Sequence, residues 1–454
     1  MTSHLESPQR EGARVNALRR LCPRGRQVRD LLGWLALTAL GLGLTAWAVH
    51  HGARLGTAAA PLLGRYRWQL SPVSALAPLV ALAVLGTARF GWFERARWGG
   101  VLAASYLFAL VWALALALVD GAAGLTRSLL DPDNYLAEVG SVADDPLAYL
   151  HSFTHDVRAH AVSARGHPPG PVLLLWALHR AGLTDRLALA LLITATGALT
   201  VPLILGSVRE VCGEVPARRY ATVLILAPSA IWVAVSIDVV VAVLGAAMVA
   251  AGVRASARRR TGLRAGAWAA LAGALLGIAA LFSYAAPWLG LSLVCLYFAR
   301  RRPFLNIGTG LGALAPIVLA DGLGFAWLSG LTAARSDYLS RIEPYRSAWW
   351  WGAISLVALL LAAGPPLFAS VRKLRNTPGW PFLVGATAAV LVSIVAGIAR
   401  GGVEHAWLPF FPWLTVAAVA PEQQGGPPVP APLLLAGVGA LVAVAIEAVL
   451  ATPW

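Results

Sequence analysis

Residues 99–120 read GGVLAASYLFALVWALALALVD, 22 positions without a charge until the closing Asp120. A helix of that length rises about 33 Å, enough to cross a hydrocarbon core of about 30 Å. Comparable apolar runs, each roughly the 20 residues a crossing needs, recur from Leu31 to Leu450. They are continuous rather than alternating, which disfavours a β-barrel. Hydrophobic residues make up 58% of the 454-residue chain and charged residues only 13%. A soluble surface needs roughly 25% charge, so a string of soluble domains is excluded. The sequence predicts an all-α, polytopic transmembrane bundle.

The charge balance is lopsided, with 36 Lys+Arg against 21 Asp+Glu and a net charge of +15. The basic residues sit in short clusters between apolar runs, the pattern that orients a membrane protein, so nucleic acid is not the expected partner. Lys occurs once, at Lys373, and the preference for Arg fits GC-rich bacterial coding. Cys22, Cys212 and Cys295 lie far apart without metal-ligand spacing, and neither a disulfide framework nor a zinc site is read from them.

Four regions follow. Residues 1–30 form a basic tail placed in the cytoplasm. Residues 31–98 form an N-terminal transmembrane extension with spans at 31–50 and 72–88. The first of these reads as an uncleaved anchor, because its basic leader is long and its apolar stretch exceeds that of a signal peptide. Residues 99–420 form the core, with an outward-facing polar loop at 121–167. Residues 421–454 supply a turn-rich linker and a last span. Clusters at Arg258-Arg259-Arg260, Arg300-Arg301-Arg302 and Arg372-Lys373-Arg375 mark cytoplasmic turns. They set spans near 264–281, 286–299, 305–328, 348–366, 381–398, 406–420 and 432–451. The count comes to about 13 spans in a bacterial plasma membrane.

The stretch 168–254 threads in two ways. In one, 168–183 dips in and returns, 186–208 crosses, and 220–254 folds as two short spans with Asp238 at the outer surface. In the other, 168–183 crosses fully and Asp238 lies near mid-membrane.

Charge beside a membrane is costly, so charged groups away from the cytoplasmic turns carry the functional signal. They gather in 121–167, as Asp131-Pro132-Asp133-Asn134-Tyr135, Glu138, Asp144, Asp145, His151, His155, Asp156, Arg158, His160, Arg165 and His167, and again at Arg400–His405. Asp145 and Pro146 suit the start of an interfacial helix whose stripe Leu147, Leu150, Phe153, Val157 and Ala161 would lie on the bilayer. His151 and His155 have zincin spacing, but Ser152 stands where the general-base Glu belongs. No dedicated metal cage is present; a divalent metal is left open and no cofactor is called for. His167-Pro168-Pro169-Gly170 starts a helix at the membrane surface, where a helix N-terminus favours anions. The plain alternative for Asp131 and Asp133 is a capped turn, and for Asp238 a helix N-cap or a buried hydrogen-bonding group. Trp349-Trp350-Trp351 reads as an interfacial aromatic belt.

An acidic Asp-x-x-x-Tyr segment after an outward span, followed by His-Pro-Pro at a helix start, resembles the GT-C superfamily of membrane glycosyltransferases. That group includes the protein O-mannosyltransferases and the aminoarabinose transferases. Pro228-Ser229-Ala230-Ile231-Trp232 with Ser236-Ile237-Asp238, and Arg400-Gly401-Gly402-Val403-Glu404-His405, resemble two further segments of that superfamily, in the same order. The resemblance implies transfer of a sugar from a polyprenyl-phosphate donor to a glycan, lipid or protein hydroxyl at the extracytoplasmic face. It implies Asp131 or Asp133 as the general base. It places Tyr135, Glu138, Asp156, His167, Asp238, Arg400 and His405 around the substrate, the last two beside the leaving phosphate. The usual Asp-Glu pair is here Asp131-Pro132-Asp133, and Gly166 stands where an acidic residue often precedes the Pro-Pro motif. A transporter or flippase of a lipid-linked or anionic substrate, and an inactive scaffold of the same fold, are the competing readings. After residue 260 the spans carry little charge beyond Asp321 and Glu447, which favours surface chemistry over a conduction path.

Overall fold

The computed structural model describes residues 23–68, 70–155, 157–397 and 400–452. Most of the basic tail, Cys22 and Asp156 therefore lie outside the described residues. Regular structure is helical throughout, apart from a two-residue antiparallel pair of Arg65–Tyr66 with Leu450–Ala451.

Among the described residues, six helices are long and apolar enough to cross a membrane: Gly25–His50, Pro72–Arg89, Trp98–Asp120, Arg186–Cys212, Gly262–Ala280 and Leu305–Gly322. A seventh crossing arises if Trp327–Tyr345 and Ala348–Ala363, bent by 94° at their junction, count as one. Four shorter apolar helices, Val239–Ala255, Ala286–Ala299, Trp380–Val395 and Leu433–Val449, complete the apolar set. The chain is thus an all-helical membrane protein.

One expected span is corrected. The apolar run 406–420 is broken into Val403–Ala406, Phe411–Leu414 and a single 3₁₀ turn at Val416–Val419. Pro409 and Pro412 each remove a backbone donor that a continuous helix would need. Trp407, Phe411 and Trp413 are almost fully buried, so this irregular backbone is surrounded by protein, the condition under which it is tolerated at membrane depth.

Lipid supplies little hydrophobic drive between helices, so close packing relies on small residues. A Cβ on Gly273 would lie 2.0 Å from the Thr309 carbonyl oxygen, and one on Gly312 would lie 2.2 Å from that of Ala270. These glycines let Gly262–Ala280 and Leu305–Gly322 meet backbone to backbone.

The polar groups fall at two opposite ends. At one, Arg218 donates to the carbonyls of Phe93 and Ala96 at 2.6 and 2.8 Å. Arg300 donates to Val253 O and Ser256 Oγ at 3.1 Å, and Arg372 pairs with Asp30 at 2.8 Å. Cys212 lies 3.7 Å from Thr377, which brings the 372–379 segment to the same end. The expected cytoplasmic clusters therefore share one end of the bundle. At the other end, the 121–167 loop meets residues 56–67, 231–238, 343–346 and 400–405.

The helix Gly170–Arg180 has 11 residues, about 16 Å of rise, too short to cross. Arg186–Cys212 crosses instead, and Asp238 lies against Tyr135 of the loop. The interfacial helix is shorter than expected: Asp145 caps Pro146–Ser152 through the amides of Leu147 and Ala148 at 3.1 and 2.9 Å. Ser152 then turns its hydroxyl onto the carbonyls of Ala148 and Tyr149, and the regular helix stops. Its stripe does not lie on the bilayer as a unit, because Leu150 and Phe153 are buried, Phe153 against His160 and Phe325. The aromatic belt also divides. Trp349 is exposed, while Trp351 is buried with its indole N–H on Leu55 O at 3.1 Å.

Candidate active site

Asp131 and Asp133 form a tight turn. The Asp133 amide donates to Asp131 Oδ1 at 2.9 Å; Asp133 is exposed and Asp131 half-buried. Asn134 then caps the helix Tyr135–Val142 through the Leu136 amide at 3.2 Å. Tyr135, in the first turn of that helix, is buried and points its hydroxyl to Asp238 Oδ1 at 3.4 Å. Glu138 is engaged elsewhere. It accepts from His160 Nδ1 at 2.7 Å and the Ala161 amide at 2.8 Å, which ties the two halves of the loop together.

His167 approaches the same group. Its ring lies edge to face against Tyr135, centroids 5.6 Å apart, while Nδ1 donates to Ser163 O at 2.9 Å. The glycine after the two prolines has a packing reason: a Cβ on Gly170 would lie 2.3 Å from the Leu281 carbonyl. The helix that follows His167 is thereby pressed against residue 281.

Asp238 enters from a strained turn. Val235 has a φ of +65°, a left-handed conformation costly for a β-branched residue, and its amide donates to Thr194 Oγ1 at 3.2 Å. Ser236 Oγ accepts from the Asp238 amide at 3.2 Å and bonds His405 Nε2 at 3.1 Å. His405 Nδ1 closes the ring by an ion pair to Asp238 Oδ2. Hydroxyl, imidazole and carboxylate thus stand in the order of a nucleophilic triad. Ser236 is 7% exposed, however, and its oxygen is engaged within its own turn, so it acts as a support. Burial acts to raise the Asp238 carboxyl, but His405 and His167 outweigh it and hold the group below the usual carboxylate range. Burial and the neighbouring Asp238 push the Tyr135 hydroxyl well above its ordinary value.

Beside this cluster opens a cavity of about 550 Å³. Its wall includes 231–235, the segment that leads into Ser236–Asp238, and Asp131 faces it from the loop. Four arginines line it, Arg65, Arg67, Arg127 and Arg346, together with Asp120 and Glu447. Arg127 is paired with Asp120. Glu404 fastens the cavity to the cluster: it is fully buried, and Oε1 accepts the Leu63 amide at 2.7 Å, two residues before Arg65. Burial pushes its carboxyl above the ordinary value.

The expected site residues therefore divide. Tyr135, His167, Asp238 and His405 come together, and Asp131 lines the adjoining cavity. Asp133 sits on the turn behind it, and Glu138 is bonded to His160 and the Ala161 amide. Arg400 is not in the cavity wall: it pairs with Glu343 and donates to the Arg346 carbonyl at 3.1 Å, while its amide donates to Tyr338 at 2.8 Å. Its guanidinium is neutralised by that carboxylate, and Arg346 takes the cavity position expected of Arg400. Arg65, Arg67, Arg127 and Ser236 were not among the expected site residues. The first three carried a signal, since arginines outside the cytoplasmic clusters run against the orienting rule. Among the described residues, no group of three or more His, Cys, Asp or Glu side chains is placed to hold a metal ion. No model of a known protein family matches this chain, and no curated protein matches it.

Proposed function

We propose that the protein is an integral-membrane glycosyltransferase. It moves a sugar from a polyprenyl-phosphate donor to an acceptor hydroxyl at the extracytoplasmic face. The observation that carries this reading is the cavity in which four arginines face a loop carboxylate, beside a buried carboxylate–imidazole cluster. Arginines match phosphate oxygens in charge and geometry, and a carboxylate supplies a base within the same space.

In this reading the acceptor oxygen attacks the anomeric carbon while Asp131 takes its proton, with Asp133 holding Asp131 through the turn. The bond from the anomeric carbon to the phosphate oxygen breaks, and the phosphate leaves with the electron pair. Arg65, Arg67, Arg127 and Arg346 stabilise the charge that develops there. Tyr135, His167, Asp238 and His405 brace the turn that follows Val235, whose side chain lines the cavity. The arginine-rich end faces the cytoplasm, and the four shorter apolar helices, added to the six or seven long ones, bring the crossings to ten or eleven, below the expected count of about 13.

Incubating membranes that hold the protein with radiolabelled polyprenyl-phosphate sugars tests this. Label appearing in glycan, lipid or protein, and absent with Asp131→Asn, supports the reading. No transfer from any hexose or pentose donor, by protein present at normal level, removes it.

A further inference from the structure

Two cavities at the arginine-rich end take no part in the site above. One, of about 490 Å³, runs between the helices Trp98–Ala117, Thr200–Cys212 and Val239–Ala255, with Leu102, Pro202, Leu203, Gly206 and Val253 in its wall. The other, of about 840 Å³, lies among Arg258, Arg259, Arg300, Arg301 and Arg302. Arg259 and Glu210 belong to both walls, so a mainly apolar cleft adjoins a basic one. The orienting rule accounts for arginine at this end. It does not account for a cleft that leads to it.

The arginines differ in what they do. Arg300 holds Val253 O and Ser256 Oγ, and Arg302 reaches back to Arg258 O at 3.4 Å, so these two build the wall. Arg258, Arg259 and Arg301 are exposed, and among the described lining residues Glu210 is the one carboxylate facing them. Arg301 also takes a φ of +56°, an uncommon conformation for a residue with a side chain. We infer that the two cavities form one binding site for an anionic glycerophospholipid. An acyl chain lies in the cleft past Gly206, and the phosphodiester meets Arg258, Arg259 and Arg301. Charge selects the headgroup, and the apolar cleft separates a lipid from a free phosphate.

Native mass spectrometry of the full chain in detergent, titrated with phosphatidylglycerol, phosphatidylcholine or glycerol phosphate, tests the inference. Phosphatidylglycerol is expected to bind in preference to the other two. Arg258→Gln and Arg301→Gln should each weaken it about fivefold. Gly206→Trp should abolish retention with every charge in place, because a Cβ there enters open space and the indole fills the cleft. Leu102→Trp blocks the same cleft from the facing helix and serves if the first variant melts early. Wild-type affinity in both tryptophan variants, equal binding of phosphatidylcholine, or displacement by equimolar glycerol phosphate would each overturn the assignment.

Discussion

The two polar ends of the bundle differ in where their arginines stand. At one end several are anchored on backbone carbonyls, as Arg218 is on Phe93 and Ala96. At the other, Arg346 and Arg400 also reach carbonyls, but four arginines line a cavity shared with Asp120, Asp131 and Glu447. The first arrangement ties arginines to helix ends. The second confines cations beside carboxylates in a space that can admit an anion. Position relative to acids and cavities, more than number, separates a topological charge from a chemical one.

The sharpest way to break this contrast is Asp131→Asn, which should lower sugar transfer by roughly 10²- to 10⁴-fold, read as initial rate at equal protein level. Next, Arg346→Gln should cost about 10²-fold, while Arg264→Gln at the opposite end leaves transfer unchanged. Equal losses in the two arginine variants would erase the distinction between the ends. Packing is tested by Gly273→Leu, which forces apart two helices in backbone contact and should destabilise by about 1–3 kcal/mol, followed by thermal melting in detergent.

The smallest effect concerns acidity. Asp238 is held below its ordinary range by His405 and His167 against the opposing effect of burial. A depressed carboxylate contributes stability above its unfolded value near pH 4 and loses it as pH falls through the folded one. The melting difference between wild type and Asp238→Asn should therefore be full at pH 7 and shrink toward pH 3. A difference that grows in acid would show that His405 does not hold that charge.

The helical membrane class was legible because apolar length alone dictates it, as at 99–120. Crossings were less so: 406–420 has the hydropathy of a span, but its prolines and its burial inside the protein make it irregular. At the site, Tyr135, His167, Asp238 and His405 stood out as polar groups near the membrane surface. Their meeting depends on the Val235 turn and on Gly170 docking at residue 281, which are contacts between distant segments. Arg400 shows its charge in sequence, but not the Glu343 that stands beside it. Arg65 and Arg67 were passed over because they sit in a short connection ahead of the core.

That connection has a consequence for biogenesis. Arg65–Tyr66 completes its ladder only with Leu450–Ala451, residues that leave the ribosome almost four hundred positions later. A nascent chain halted before its final helix has one wall of the 550 Å³ cavity absent, so that chamber stays unassembled until synthesis and insertion are nearly finished.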